Sequence, residues 1–344
     1  MSQRGATDLY LVVGSPLTFR IDGKLIPLTQ ELIKPKQIEE LIAPLLTEES
    51  RNKLVEDKEV EIAYSIKGLS RFRINIFFQR GTLGAAIKIL PPRPPTLDEI
   101  NAPVALKKMA ALTSGLVIIS GPAASGKTTT LAALIDFINE TRNAFIVTIE
   151  SPIEFLHKNK KSIICQRELG SDVITIERAL QGIASQSPDV IVVGELNQET
   201  IERILSLANA GILVITSVRV AGVFSTLQYI IESAPLQKKD AVRILLGNCI
   251  EGVFSQVLAS RIKGRGRLLA MEYLIPNSRI KRFIKEGDFV GIQKTLSSVQ
   301  KDVDYKSIEV ILRDYYQKGL ISREEAIAKA YHPQEMEKII DRTY

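Results

Sequence analysis

The residues whose types and spacing could do chemistry are Gly121-Pro122-Ala123-Ala124-Ser125-Gly126-Lys127-Thr128, with Thr129 next in line. Two glycines separated by four residues, followed by a lysine and a threonine, describe a loop whose backbone N–H groups converge on an anion. Lys127 supplies a point charge for β- and γ-phosphates, and the Thr128 hydroxyl suits Mg²⁺. ATP with Mg²⁺ is the cofactor this pattern implies. Acids lie further along the chain. Glu195 ends the apolar run Asp189-Val190-Ile191-Val192-Val193-Gly194, and an acid there orders the Mg²⁺ shell or the attacking water. Glu150 follows Thr148-Ile149 and is a candidate general base for water, a role worth roughly 10²–10⁴ in rate. Glu154, four residues on, fits a second site acid and a solvated turn residue equally well.

Such groups need a scaffold, and the surrounding sequence describes one. Leu116-Val117-Ile118-Ile119 reads as a buried strand before the loop. Leu131, Leu134, Ile135 and Ile138 recur at helical spacing after it. Phe145–Ile149, Val190–Val193 and Ile212–Val218 are further short apolar runs with helical stretches between them. That alternation predicts an α/β fold with a mostly parallel sheet and helices on both faces. Ligands in such sheets bind beyond the carboxyl ends of the strands, where Glu150 and Glu195 fall.

Pro91–Pro103 holds five of the chain's 15 prolines and reads as a stiff connector. Thr96-Leu97-Asp98-Glu99 inside it has the form of a capping box, so a helix is expected to start there. Before the connector, Val60, Ile62, Tyr64 and Ile66 alternate with polar or small residues. Phe72, Ile74, Ile76 and Phe78 repeat the pattern after Lys67-Gly68, which predicts a hairpin with one buried face. Arg71 and Arg73 fall on its polar side. With helices expected over Glu31–Leu46 and Glu48–Val55, the first ~90 residues read as a small α+β domain. From Pro276 the strand signal fades, and Ser322-Arg323-Glu324-Glu325 is a second capping box. The expected division is 1–90, a linker 91–103, an ATPase domain 104–275 and a helical region 276–344.

The 344 residues are 45% hydrophobic and 24% charged, an ordinary soluble composition. No apolar run nears the ~20 residues a membrane span needs. The opening MSQRGATDLY has no signal pattern, so the chain is expected to stay where it is made. Cys165 and Cys249 lack C-x-x-C spacing and read as small buried residues. His157 and His332 are the only histidines, which argues against a zinc site or a histidine triad. The net charge of +6 gathers at Lys158–Lys161, Arg261–Arg267 and Arg279–Lys285. No aromatics interleave with these cations, so they read as solvated or subunit-facing surfaces, and nucleic acid is not an expected partner.

The phosphate loop, the TIESPIE stretch, Gln166-Arg167-Glu168-Leu169-Gly170 and SPDVIVVGEL together resemble the secretion ATPase superfamily, and within it the PilT-type ATPases that retract type IV pili. The likeness extends to ATDLYLVVGSP, to Arg71–Ala85, to the segment Ser278–Gly287 and to KGLISREEAIAKA. It implies a PAS-like N-terminal domain joined to a RecA-like P-loop motor domain in a ring of six. It also implies twitching motility, a site on the cytoplasmic face of the inner membrane at the pilus base, and a membrane platform protein as partner. Arg73 matches an arginine that reaches the nucleotide, and Lys88 matches a second one without its bidentate fork. The catalytic set so implied is Glu150, Glu195, Lys127 and Arg73. Nucleotide is assigned to Gly121–Thr129, Arg73 and Lys88, and metal to Thr128 and Glu195.

Several positions depart from that pattern. Ser151 replaces an aspartate, and Ile212 and Arg219 replace two histidines. Leu196-Asn197-Gln198 stands for M-R-D, Ser187 for the first aspartate of D-P-D, and Ala123-Ala124 for Thr-Gly. Ala124 requires that the backbone there avoid positive φ or accept strain. Binding groups survive while groups that orient water or couple sites are lost. Two readings follow: a retraction motor with weakened hydrolysis, or a paralogue that binds nucleotide and regulates an active pilus ATPase. An extension or type II secretion ATPase is disfavoured by the two cysteines and short N-terminal region. A nucleic-acid motor rests on net charge alone.

Overall fold

The central strands of the larger sheet carry β-branched and aliphatic residues on both faces, as a sheet covered by helices on each side requires. The structure is a computed structural model and describes residues 1, 4–21, 24–66, 70–90, 93–263, 266–297 and 304–341. The chain divides into two units, Met1–Pro94 with Pro152–Leu156, and Pro95–Ser151 with His157–Tyr344.

The small unit contains β1 (Ala6–Leu11), β2 (Pro16–Ile21), β3 (Lys24–Leu32), α1 (Pro35–Ile42), α2 (Glu48–Asp57), β4 (Glu59–Ile66), β5 (Ser70–Gln79) and β6 (Thr82–Leu90). Its strands form one antiparallel sheet in the order β3-β2-β1-β6-β5-β4. Ile74 and Ile76 of β5 pack with Ile38 and Ile42 of α1 in its core. The expected hairpin is β4 and β5, paired with Ile62 opposite Ile74; its Lys67-Gly68 turn lies outside the described residues. Phe72, Ile74 and Ile76 are buried, but Phe78 is 40% exposed beneath the Lys58 ammonium. The helix expected from Glu31 starts at Pro35 instead. Proline holds Lys34 extended, and Glu31-Leu32 remain in β3.

The large unit begins with a turn. The Thr96 and Glu99 side chains exchange capping bonds with each other's backbone N–H, as the sequence implied, but no helix follows there. Asn101 turns left-handed at φ 54° and Pro103 precedes the first helix, α3 (Val104–Met109). The order is then β7 (Gly115–Ser120), α4 (Lys127–Thr141), β8 (Phe145–Glu150), β9 (Ile163–Glu168), α5 (Ile176–Ile183), β10 (Val190–Val193), α6 (Ile201–Asn209), β11 (Leu213–Val218), α7 (Val223–Glu232), α8 (Lys239–Cys249), β12 (Ile250–Ser260) and β13 (Arg267–Ile275). The remaining elements are α9 (Ser278–Glu286), α10 (Phe289–Ser297), β14 (Asp304–Lys306), α11 (Ile308–Gln317), α12 (Arg323–Lys329) and α13 (Pro333–Asp341).

Eight strands run in the order β14-β13-β12-β7-β11-β10-β8-β9. The six from β12 to β9 are parallel, and β13 and β14 add antiparallel. Alternation splits the core by face: Leu116 and Ile118 of β7 pack with α5 to α9, while Val117 and Ile119 pack with α3 and α4. A third cluster seats α11 to α13 on Val257, Ala259, Leu268 and Ala270 of β12 and β13. Among the described residues after Pro276, the regular elements are helices apart from the short strand β14. Cys249 is buried and Cys165 half-buried, both as free thiols. Among the described residues, no helix is long and apolar enough to cross a membrane.

Candidate nucleotide-binding site

Parallel pairing brings the carboxyl ends of the strands to one edge of the sheet. Ser120 of β7 stands beside Val218 of β11, and Val193 of β10 beside Ile149 of β8. The phosphate loop, Glu150 and Glu195 therefore share that edge.

Three left-handed residues shape the loop: Gly121 at φ 145°, Ala124 at φ 60° and Gly126 at φ 91°. At Gly121 a side chain is excluded, because a Cβ would lie 2.4 Å from the Gln256 carbonyl oxygen. Ala124 takes the strained alternative that its replacement of glycine raised, at a cost of roughly 1–2 kcal/mol. Ser125 is buried, while Pro122, Ala123, Ala124 and Thr128 face outward. Gly126 heads α4 without a side-chain cap. By contrast Thr47, Thr175, Asn277, Ser307 and Ser322 cap their helices. The first-turn N–H groups of α4 thus suit an anion from outside the chain.

The Lys127 ammonium donates to the carbonyls of Gly121 at 2.8 Å and Pro122 at 2.9 Å. Burial lowers its pKa, Glu195 opposes that drop, and Arg219 adds to it. The ammonium therefore sits within electrostatic reach of both.

Glu150 is half-buried and its Oε1 accepts from Thr148 Oγ1 at 2.6 Å and from Gln166 Nε2 at 3.0 Å. The same Gln166 amide accepts the His157 N–H at 2.9 Å, so the run flagged by sequence orients the candidate base. Glu195 follows a turn closed by Ser217 Oγ on the Gly194 carbonyl at 2.5 Å. Both of its oxygens meet Arg219, Nε to Oε1 at 2.6 Å and Nη2 to Oε2 at 2.7 Å. This is the fork geometry in which a guanidinium fixes a carboxylate plane.

In the small unit, Arg73 and Lys88 stand opposite each other on β5 and β6. The Arg73 guanidinium binds Glu61 at 2.7 Å and Glu154 at 3.0 Å, and Glu154 belongs to that unit. Glu154 is therefore an ion-pair partner of Arg73, a role that neither of the readings open to it from sequence described.

A family model described as "Type II/IV secretion system protein" matches residues 3–287. The chain belongs to this secretion ATPase family. It is 33% identical to the type IV pilus retraction ATPase PilT of Pseudomonas aeruginosa, over 97% of this chain and 96% of that protein. It is 31% identical to the type IV pilus ATPase PilU of the same organism, over 96% and 86%. A solved structure of the pilus retraction motor PilT with bound ADP superposes with a TM-score of 0.89 at 35% identity, covering 98% and 96% of the two chains. The fold is that of the secretion ATPases: a PAS-like N-terminal domain and a RecA-like motor domain.

Against the rest of the family pattern, the altered residues have specific local roles. Asn197 closes the turn into α6, its Oδ1 accepting the Thr200 N–H at 3.0 Å. Ile212 packs partly buried against the core. Ser151 is exposed. Gln256 was not signalled by any motif. It is fully buried, and its Nε2 donates to the Ser125 carbonyl at 2.7 Å. The readable trace was a polar Ser255-Gln256 pair inside an apolar strand.

The loop fits a polyphosphate: a glycine cradle that a Cβ would fill, an uncapped helix start and a half-buried lysine. Mg²⁺ takes hard oxygen donors and keeps phosphate and water ligands, so one hydroxyl and one or two carboxylates suffice. Thr128, Glu150 and Glu195 are such donors, with Glu195 engaged by Arg219.

Proposed function

We propose that this secretion ATPase hydrolyses ATP with Mg²⁺ and drives retraction of a type IV pilus, as a homo-hexameric ring at the cytoplasmic face of the inner membrane acting on a platform protein. Full-length relationship to proteins described as pilus retraction ATPases supports the biological role. The observation that carries the chemistry is the loop: left-handed Gly121 and Gly126 ahead of the uncapped α4, with Lys127 folded over it.

In this reading the loop N–H groups and Lys127 hold the β- and γ-phosphates. Thr128 and Glu195 are the residues that would hold Mg²⁺, which would supply charge neutralisation at the phosphates. Glu150, pre-oriented by Thr148 and Gln166, accepts a proton from the attacking water. Arg73 and Lys88 are assigned to the triphosphate by resemblance of their strand sequences. The test is steady-state ATP turnover. Lys127→Ala and Glu195→Ala each lower kcat at least 100-fold. Wild-type turnover no faster than that of Lys127→Ala refutes the enzyme reading.

One observation favours a second reading, a nucleotide-binding paralogue that tunes an active pilus ATPase. The Arg219 fork occupies both oxygens of Glu195, which weakens that carboxylate as an acceptor from water. The two side chains are 68% and 43% exposed, so the pair is worth about 1 kcal/mol or less and a bound triphosphate can displace it. Under this reading the wild type binds nucleotide without steady turnover. Joint restoration by Ser151→Asp, Ile212→His and Arg219→His then raises the rate, and an unchanged rate counts against it.

A further inference from the structure

We propose that Gln256 is a positioning residue for nucleotide binding, a buttress on β12 that holds the phosphate loop in its phosphate-gripping conformation; this rests on the ATP-binding reading. Its side chain is wholly buried, a costly location for an amide unless it makes a specific bond. That bond goes to the loop itself, Nε2 to the Ser125 carbonyl at 2.7 Å. Only the NH₂ end of the amide can meet a carbonyl oxygen, so chemistry fixes its orientation.

The same residue limits the loop a second time. Its backbone carbonyl is what a Cβ at Gly121 would strike, and its Nε2 lies 3.3 Å from where a Cβ at Gly126 would stand. Both glycines of the motif are thus packed against one residue far along the chain, on β12.

The platform is rigid. Ser255, pointing to the opposite face of β12, accepts the Gly222 N–H at 2.8 Å and pairs with Tyr331 Oη at 2.7 Å. Gly222 leads into α7 three residues after Arg219, and Tyr331 belongs to the helical C-terminal region. One dipeptide therefore pins the strand from both faces, with the phosphate loop on one and the Arg219 segment on the other.

A clamp is needed here because the loop is strained. Ala124 sits in the left-handed region that alanine avoids, and such a conformation persists only where its surroundings over-determine it. Without the Ser125 anchor the loop relaxes, and apparent affinity falls by the fraction of molecules that keep the competent shape.

The test uses the full chain. Gln256→Met keeps length and apolar volume but removes the donor; Gln256→Asn keeps the amide but falls short, and serves if the first variant does not fold. The expected result is at least a fivefold rise in Kd for both Mg·ATP and ADP, with KM rising more than kcat falls. Adding Ala124→Gly to Gln256→Met recovers more affinity than Ala124→Gly gains in the wild-type background, because strain matters most once the clamp is gone. Without nucleotide, amide hydrogen exchange across residues 121–130 quickens at least tenfold in the variant. Unchanged exchange in folded Gln256→Met or Gln256→Asn overturns the proposal, as does a Kd within twofold of wild type. A wild type that binds no nucleotide, yet shows the exchange effect, refutes the ATP reading and leaves the buttress standing.

Discussion

At the scale of single residues, Glu272 makes a prediction separate from the phosphate loop. Its carboxylate is buried on β13, accepting the Val223 N–H at 2.9 Å and the Tyr305 hydroxyl at 2.9 Å. Burial pushes its pKa up to about 7; these two hydrogen bonds oppose the shift and nearby Glu309 adds to it. The folded state therefore keeps a proton that the unfolded chain releases from about pH 4.5 upward. Stability falls as pH rises through that window, and above pH 7 the full cost, of the order of 3 kcal/mol, is present. Glu272→Gln, which cannot ionise, is expected to melt higher than wild type at pH 8 and to lose that advantage by pH 5. Thermal unfolding at the two pH values measures it; a difference independent of pH contradicts the assignment. His157 runs the other way. Burial holds it down to about 4, with Asp136 opposing, so its contribution is lost as pH falls below about 6.5.

At the scale of elements, α8 and α9 pack in direct contact at Gly247. A Cβ on Gly247 would stand 2.8 Å from the Lys281 backbone carbonyl and 2.5 Å from Lys285 Cγ. The lysine stem can swing away, but the carbonyl cannot. Gly247→Val is expected to force α9 outward and cost roughly 1–3 kcal/mol, read as a lowered Tm; an unchanged Tm means that the helices are not in this contact. The elements also explain what was readable in advance. The strand, loop and helix around Lys127 were legible because β7 is apolar on both faces and α4 repeats its apolar residues every three to four positions. Strands β2 and β3 were not, since neither buries a full face and alternation leaves no trace. The Thr96–Glu99 box was read correctly as a set of hydrogen bonds and wrongly as a helix, because Asn101 and Pro103 stop propagation after one turn. Gln256 and Arg219 act through partners distant in sequence, and no local pattern encodes that.

At the scale of the whole molecule, one mixed sheet organises the large unit. Its two faces carry separate cores, its antiparallel edge carries the C-terminal helices, and the carboxyl ends of its strands carry the phosphate loop and both acids. Membership of the secretion ATPases follows from the length and closeness of the match, while the motor and regulator readings differ only in what happens after nucleotide binds. Both require that binding. Titration calorimetry of the wild type and Lys127→Ala with ATP at millimolar Mg²⁺ is therefore the most direct test. Saturable association in the wild type, weakened at least tenfold in the variant, is the predicted result. The absence of measurable heat from either ATP or ADP in the wild type, or equal affinity in the variant, contradicts the account.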